Sequence, residues 1–326
     1  RKERESCMAK AKAAKAQVPV MSAKKKGWGY DLKKNWPLYV IFLIPFIFFV
    51  VFKYIPMVGI LMAFEDYKVA RGLFGSEWVG WENFIELFSG EQFPTALRNT
   101  VAMAILNLTL GFVAGPILGL LIGQLRSKRF SRVVQTVTYM PYFVSAVVCC
   151  SLAQEFLDDN GAITQFLTLF GFERQNWLAV NGPSFWLINC LLGVWQGAGY
   201  GAIIYIATIN GINNDLYEAA CIDGASRWQR VWNITIPQIM PIVVMMFTMQ
   251  IGLVFMTGFD KVLLIYMPST YEFSDCLSTY TYRMAFGSSN DFGLSTASGL
   301  FQSVVGTILM VGGNKLSAMT TKMSMF

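Results

Sequence analysis

Two groups of residues in this chain have the types and spacing to act on another molecule. Residues 217–241, YEAACIDGASRWQRVWNITIPQIMP, carry charges, amides and turn residues between runs almost empty of charge. Asn189, Gly193, Gln196 and Tyr200 recur at intervals of four, three and four, which places them on one face of a helix. Two amides and a phenol on that face could hydrogen-bond the hydroxyl groups of a passing solute, and Trp195, about 100° round the helix from Gln196, could offer a stacking surface. The same residues admit a packing reading. Amides glue helices together within a bilayer, Gly193, Gly197, Gly199 and Gly201 permit close backbone approach, and Trp and Tyr favour membrane interfaces. Asn107 and Gln250 are further pore candidates, while Asp260 and Lys261 read as an interfacial polar pair rather than a proton relay.

Bond-making chemistry is poorly provided for. The chain has no His, the commonest metal ligand and general base. It shows neither a GxSxG elbow nor a GxxxxGK[ST] phosphate loop. The six cysteines, Cys7, Cys149, Cys150, Cys190, Cys221 and Cys276, lack metal spacing. No catalytic residue, metal site or cofactor is therefore expected in this chain, and any energy for work must enter elsewhere.

The elements that must position these residues are membrane helices. Of the 326 residues 54% are hydrophobic and 14% charged, with a mean hydropathy of +0.46, against roughly 25% charged in a typical soluble domain. About 20 apolar residues suffice to cross the hydrocarbon, and six runs qualify: 37–63, 101–125, 133–156, 184–210, 238–259 and 295–314. The stretch 262–286 is interrupted by Pro268, Glu272, Asp275 and Arg283 and reads as a loop. The expected architecture is an all-α membrane protein with six transmembrane helices behind a basic tail at 1–36.

Orientation follows from the cations, which stay cytoplasmic near span ends. The tail holds 11 of the 26 Lys and Arg residues; Arg126, Lys128, Arg129, Arg132, Arg227, Arg230, Lys315 and Lys322 lie on the same side, and only six lie in the alternate loops. Both termini and the 217–241 stretch are thus expected in the cytoplasm, in a multi-pass protein of the bacterial cell membrane. The tail reads as a topology determinant attracted to anionic lipid, with a partner-binding arm as the alternative; no nucleic-acid partner is expected. Cys276 is expected to face outward. The outer loops carry 13 carboxylates and could receive a partner with complementary basic residues, although the depletion of cations there explains much of the same imbalance.

Within 211–237, Asp215 to Glu218 has capping-box spacing, with Asp215 as N-cap, and Ser226 to Gln229 repeats it. Gly224 sits where a left-handed helix stop would fall, and Pro237 favours a break or kink. Two short helices meeting at Gly224, with Trp228, Val231 and Trp232 as apolar contacts, suit docking against another protein; a helix lying on the lipid surface is the other reading.

Glu218-Ala219-Ala220, three residues, Gly224, nine residues, Ile234, one residue and Ile236-Pro237 resemble the EAA motif of binding-protein-dependent ABC importer permeases, with Ile236 in place of the usual Leu. FKYIPMVGILMAFEDY, WVGWENF, RVVQTVTYMPYFVSAVV and GFDKVLLIYMPSTYEFSDCLSTYTYR extend the resemblance, specifically to permeases for complex sugars and polysaccharide fragments. The resemblance implies a type I importer fold and an assembly with a second permease subunit, two ATP-binding cassette subunits that hold ATP and Mg, and an extracellular solute-binding protein delivering an oligosaccharide. It implies that Glu218, Ala219, Ala220, Asp223, Gly224, Ala225, Ile234 and Pro237 couple to the ATPase. Glu218 could instead only cap its own helix, and Asp223 could either assist the turn or meet a basic partner residue. A secondary transporter, or an importer of a non-sugar solute, is the alternative; ion coupling usually needs ionisable residues near mid-membrane, and the centres of these spans are almost empty of them.

Overall fold

The computed structural model describes residues 28–180, 182–255 and 258–321; Cys7 and most of the basic tail lie outside them. The chain divides into two compact units, Arg1–Val58 and Gly59–Phe326. The described part of the first contains one helix, α1 (Trp28–Phe49), continued by a π-turn at Val50–Tyr54. Asn35 departs from helical geometry (φ −111°, ψ 19°) two residues ahead of Pro37, whose missing N–H and ring disfavour a straight helix there.

A tightly wound segment, Ile55–Phe64, contains the boundary between the units, and its last six residues open the second. A two-residue antiparallel ribbon follows, β1 (Glu65–Asp66) with β2 (Glu77–Trp78), registered Glu65 to Trp78 and Asp66 to Glu77. After the short α2 (Glu82–Ser89), α3 (Gln92–Leu106), a π-turn at Asn107–Gly111 and α4 (Phe112–Gly123) form one continuous membrane-length helix. The later long helices are α8 (Ser184–Asn210), the run Arg227–Leu253 and α15 (Phe292–Thr321).

The described residues contain five helices long and apolar enough to span, the first running Leu32–Phe64. The run expected as an unbroken span at 133–156 differs. It is a broken pair, with α5 (Lys128–Tyr139) and a tight turn at Met140–Phe143 on one side and α6 (Ala146–Leu157) leading to α7 (Ala162–Thr168) on the other, bent by 97°. Pro141 sits at the start of the tight turn and Ser145 caps α6, its hydroxyl accepting from the Val148 N–H. Apolar composition cannot register such a stop, because a proline and a serine cost little in a hydropathy window.

The stretch expected as a loop at 262–286 is also different: it is mostly helical, with α12 (Phe259–Ile265), α13 (Tyr271–Ser274) and α14 (Leu277–Phe286). The polar residues that interrupt its sequence are used internally. Arg283 pairs with the buried Asp275, and Asn99 of α3, itself buried, donates to the carbonyls of Glu272 at 3.0 Å and Asp275 at 2.9 Å. Leu277 N–H donates to Thr100 Oγ1 at 2.8 Å. Phe93, Leu87, Leu277 and Ala297 form one core cluster here, and Phe185, Val262, Ile265 and Cys276 another. Much of the remaining apolar surface is exposed along the helices, as expected of side chains whose solvent is lipid.

Around the centre, α4 packs along α8, α11 (Ile236–Leu253) along α15, and α5 against α8. At the last of these crossings the backbones touch: a Cβ on Gly199 would stand 1.9 Å from the Thr138 carbonyl oxygen. Only glycine lets the two helices approach that closely.

Candidate functional site

The 217–241 stretch forms a capped elbow. α9 (Asn214–Ile222) starts at Asn213, whose side-chain oxygen accepts from the Asp215 N–H at 3.0 Å. This corrects the expectation that Asp215 is the cap. Glu218 lies beyond the first turn, where it cannot cap α9, and it is exposed. Gly224 has φ +77°. The Gly224 N–H donates to the Cys221 carbonyl at 3.1 Å and the Ala225 N–H to the Ala220 carbonyl at 2.8 Å, the paired bonds that close a helix on a left-handed residue. Ser226 and Gln229 then form a reciprocal capping box at the start of α10 (Arg227–Arg230).

Two side-chain bonds brace the elbow. Arg230 Nη1 reaches Cys221 Sγ at 2.8 Å, and the Tyr217 hydroxyl lies 2.9 Å from Thr235 Oγ1. Of the break or kink expected at Pro237, the helix shows no break. A π-turn at Val231–Thr235, closed by the Ile236 N–H on the Val231 carbonyl, widens the helix just ahead of the proline, and Pro237 then falls in the first turn of α11, where no N–H is needed. Ile234 is half-buried within that turn. The elbow is therefore continuous with the membrane-length helix Arg227–Leu253. Its surface bares two large apolar side chains among polar ones, with Ile222 88% and Trp228 69% exposed, and Ala219, Asp223 and Gly224 are exposed beside them, while Ala220 and Ala225 are half-buried.

The second group sits in the bundle. Two cavities, of 770 Å³ and 550 Å³, share Asn107, Gly193 and Gln250 in their walls. Tyr200, Gly197 and Gly201 line the larger; Asn189, Gln196, Asp260 and Lys261 line the smaller. Of the candidates read from the sequence, Asn107, Asn189, Gln196, Tyr200 and Gln250 are thus brought together. Gly193, Gly197 and Gly201 leave space for the cavity, and Gly199 alone of the four makes the close contact described above. Trp195 borders neither of these two cavities. It faces a separate, apolar cavity of 630 Å³ with Cys149, Leu152 and Leu191.

Two residues of these cavity walls also hold the fold. Gln196 Nε2 donates to the Val144 carbonyl at 2.8 Å, and Tyr200 stacks on Tyr142 with ring centroids 3.9 Å apart and planes 6° apart. Lys261 is the residue that sequence reasoning misassigned. Among the described residues it makes no ion pair with Asp260, and its ammonium points instead toward α8, since a Cβ on Gly193 would lie 3.7 Å from Lys261 Nζ. Gly258, at φ +93°, turns the chain just ahead of α12, and a glycine before Asp-Lys was the available signal.

Cys276, expected to face outward, is 4% exposed and packed in the core, and burial pushes its thiol above the ordinary value.

Comparison with known proteins identifies the family. The chain is 37% identical over 313 residues to the polygalacturonan/rhamnogalacturonan transport system permease protein YteP of Bacillus subtilis, covering 94% of this chain and 97% of that one. It is 34% identical to Protein LplB of the same organism, over 93% and 95% of the two chains. Among solved structures, a chain of a bacterial alginate ABC transporter in complex with alginate pentasaccharide-bound periplasmic protein superposes with a TM-score of 0.83 at 34% identity, covering 92% of this chain and all of that one. Residues 107–318 match the family described as binding-protein-dependent transport system inner membrane component, and the chain, a multi-pass membrane permease component of an ABC importer, belongs to that family.

Proposed function

We propose that this permease takes up a complex sugar or oligosaccharide delivered by an extracellular solute-binding protein, beside a second, non-identical permease and above two cassette ATPases that hold ATP and Mg. Support for a saccharide comes from the polysaccharide named for the YteP relative and the alginate named for the solved neighbour. The observation that carries the reading is the polar lining, Lys261 to Asn107 and Gln250 to Tyr200, running through two adjoining cavities of an otherwise apolar bundle. Amide and phenol groups there replace part of a sugar's hydration as it passes.

The elbow around Gly224 transmits the work. Coupling requires contacts that differ between two states of the partner, and a rigid knob presenting Ile222 and Trp228 and continuous with a spanning helix carries a displacement from a soluble subunit into the bilayer. Ala219 and Ala220 permit close approach, and Glu218 adds a polar contact to the ATPase. This topology has both termini and the elbow in the cytoplasm, where the cations concentrate.

The test is the purified assembly in proteoliposomes. Oligosaccharide-stimulated ATP hydrolysis that requires both the cassette subunits and the loaded binding protein is expected. Sugar uptake driven by an ion gradient without those subunits overturns the reading.

A further inference from the structure

We propose that Lys261 makes this permease select anionic saccharides, its ammonium holding a uronate carboxylate in the 550 Å³ cavity while the Asn189 side chain accepts from a neighbouring sugar hydroxyl. The proposal deepens the saccharide reading above and rests on it.

Three observations converge on that cavity. Lys261 is half-buried at the start of α12 and directs Nζ at the Gly193 backbone, where the absence of a side chain leaves room in front of the charge. Among the described residues it forms no ion pair, and the adjacent Asp260 is exposed. A half-buried ammonium without an anion is disfavoured by desolvation, and burial lowers its proton affinity. A carboxylate arriving from solution would supply the missing charge and form a charge-assisted hydrogen bond, the stronger kind.

The third observation is an orphan acceptor in the same wall. Asn189 is 5% exposed. Its amide nitrogen is spent on Met103 Sδ at 3.6 Å, and its Oδ1 is buried without a partner. Buried polar atoms left unpaired are uncommon and costly. A hydroxyl is a suitable donor for it. Lys261 and Asn189 thus offer one cation and one acceptor beside the amides of Asn107, Gln196 and Gln250, with the exposed Asp260 carboxylate in the same wall; an acidic sugar supplies both a carboxylate for the ammonium and a hydroxyl for the Asn189 oxygen, whereas a neutral sugar leaves the ammonium unpaired.

The experiment uses the complete importer in proteoliposomes, with trigalacturonate and its carboxyl-reduced, neutral counterpart as probes. Both are supplied at concentrations saturating the binding protein. Lys261→Met keeps the stem and removes the charge; Lys261→Arg restores it. Loss of one charge-assisted bond predicts a fall of about tenfold or more in trigalacturonate uptake for Lys261→Met, recovery to near the parental rate for Lys261→Arg, and little change for the neutral trimer. Parental trigalacturonate uptake by Lys261→Met overturns the assignment of Lys261 and leaves the saccharide reading standing. An equal loss for both trimers, or a Lys261→Arg variant as defective as Lys261→Met, also overturns it, since packing alone would then explain the effect. A parent importer that moves neither trimer while its ATPase answers a non-saccharide solute overturns the saccharide reading and this inference together.

Discussion

Gln196 of α8 donates its side-chain amide to the carbonyl of Val144 at 2.8 Å, at the point where the third membrane segment turns through 97°. In a bilayer a broken helix is tolerated where its freed backbone groups find protein partners, and Gln196 is that partner here. The residue therefore has two roles, one in the wall of the polar cavity and one in holding the bend. Replacing it with Ala leaves the carbonyl unpaired, which costs about 1–3 kcal/mol. A lower midpoint of thermal unfolding in detergent is expected for Gln196→Ala, with uptake reduced. Replacement with Glu is expected to be worse, because an ionised carboxylate cannot donate; unchanged midpoints for both variants would remove the bond's structural role.

Gly224 at φ +77° predicts the cost of substitution at the elbow. A β-branched side chain is strained in the left-handed region by roughly 1–2 kcal/mol, and the closing bonds from Gly224 and Ala225 depend on that geometry. Gly224→Val is expected to insert and assemble at normal levels while uptake falls severalfold and stimulated ATP hydrolysis falls with it. Glu218→Lys, which leaves the backbone intact, is expected to weaken association with the cassette subunits. Equal uptake by both variants at equal membrane levels would sink the coupling assignment.

Much of this was legible in the sequence, and the failures share a cause. The turn at Gly224 and the capping box from Ser226 to Gln229 are local devices, written in adjacent residues, and the structure has both. The face containing Asn189, Gln196 and Tyr200 follows from helical period alone. What periodicity cannot reveal is the identity of distant partners. Gln196 meets Val144, Asn99 meets Asp275, and Arg283 meets Asp275 across gaps that fold only in three dimensions. For that reason 262–286 looked like a polar loop, Lys261 looked paired with its neighbour, and Cys276 looked accessible.

The buried position of Cys276 gives a labelling prediction. An impermeant maleimide added outside intact cells is expected to leave Cys276 unmodified until the protein is unfolded, since the thiol is packed in the core and burial disfavours the reactive thiolate. Cys221, exposed on the elbow, is expected to react once the membrane is opened and not before. Labelling of Cys221 from outside would reverse the proposed orientation. Mass spectrometry of each peptide reads both results.

Arg283 and Asp275 form a largely buried pair, with side-chain exposures of 23% and 6%. Thr279 donates to the same carboxylate at 2.7 Å. Removing one partner of such a pair strands a charge and costs about 3–5 kcal/mol, whereas removing both costs less than the sum. Arg283→Met and Asp275→Asn are each expected to lower assembly and thermal stability strongly, and the double variant to recover part of the loss. Additive losses would show that the two residues stabilise α13 and α14 independently.

The path itself is tested most directly at the residues shared by the two cavities. Asn107 opens the π-turn between α3 and α4, and Gln250 lies on α11 across from it; both border the 770 Å³ and the 550 Å³ spaces. Among the described residues no side-chain hydrogen bond commits Asn107 or Gln250 to the fold, in contrast to Gln196, so their truncation removes polar wall with little structural loss. A solute that exchanges water for these amides would lose a contact worth about 1 kcal/mol, a change of roughly fivefold. Asn107→Ala and Gln250→Ala are therefore expected to lower maximal uptake or alter the preference among oligosaccharide lengths, with ligand binding by the extracellular receptor unchanged. Trp195→Ala supplies the control, because Trp195 borders the separate apolar cavity and its loss is expected to leave oligosaccharide preference as in the parent. If Trp195→Ala shifts that preference while both amide variants transport like the parent, the solute travels along the opposite side of α8.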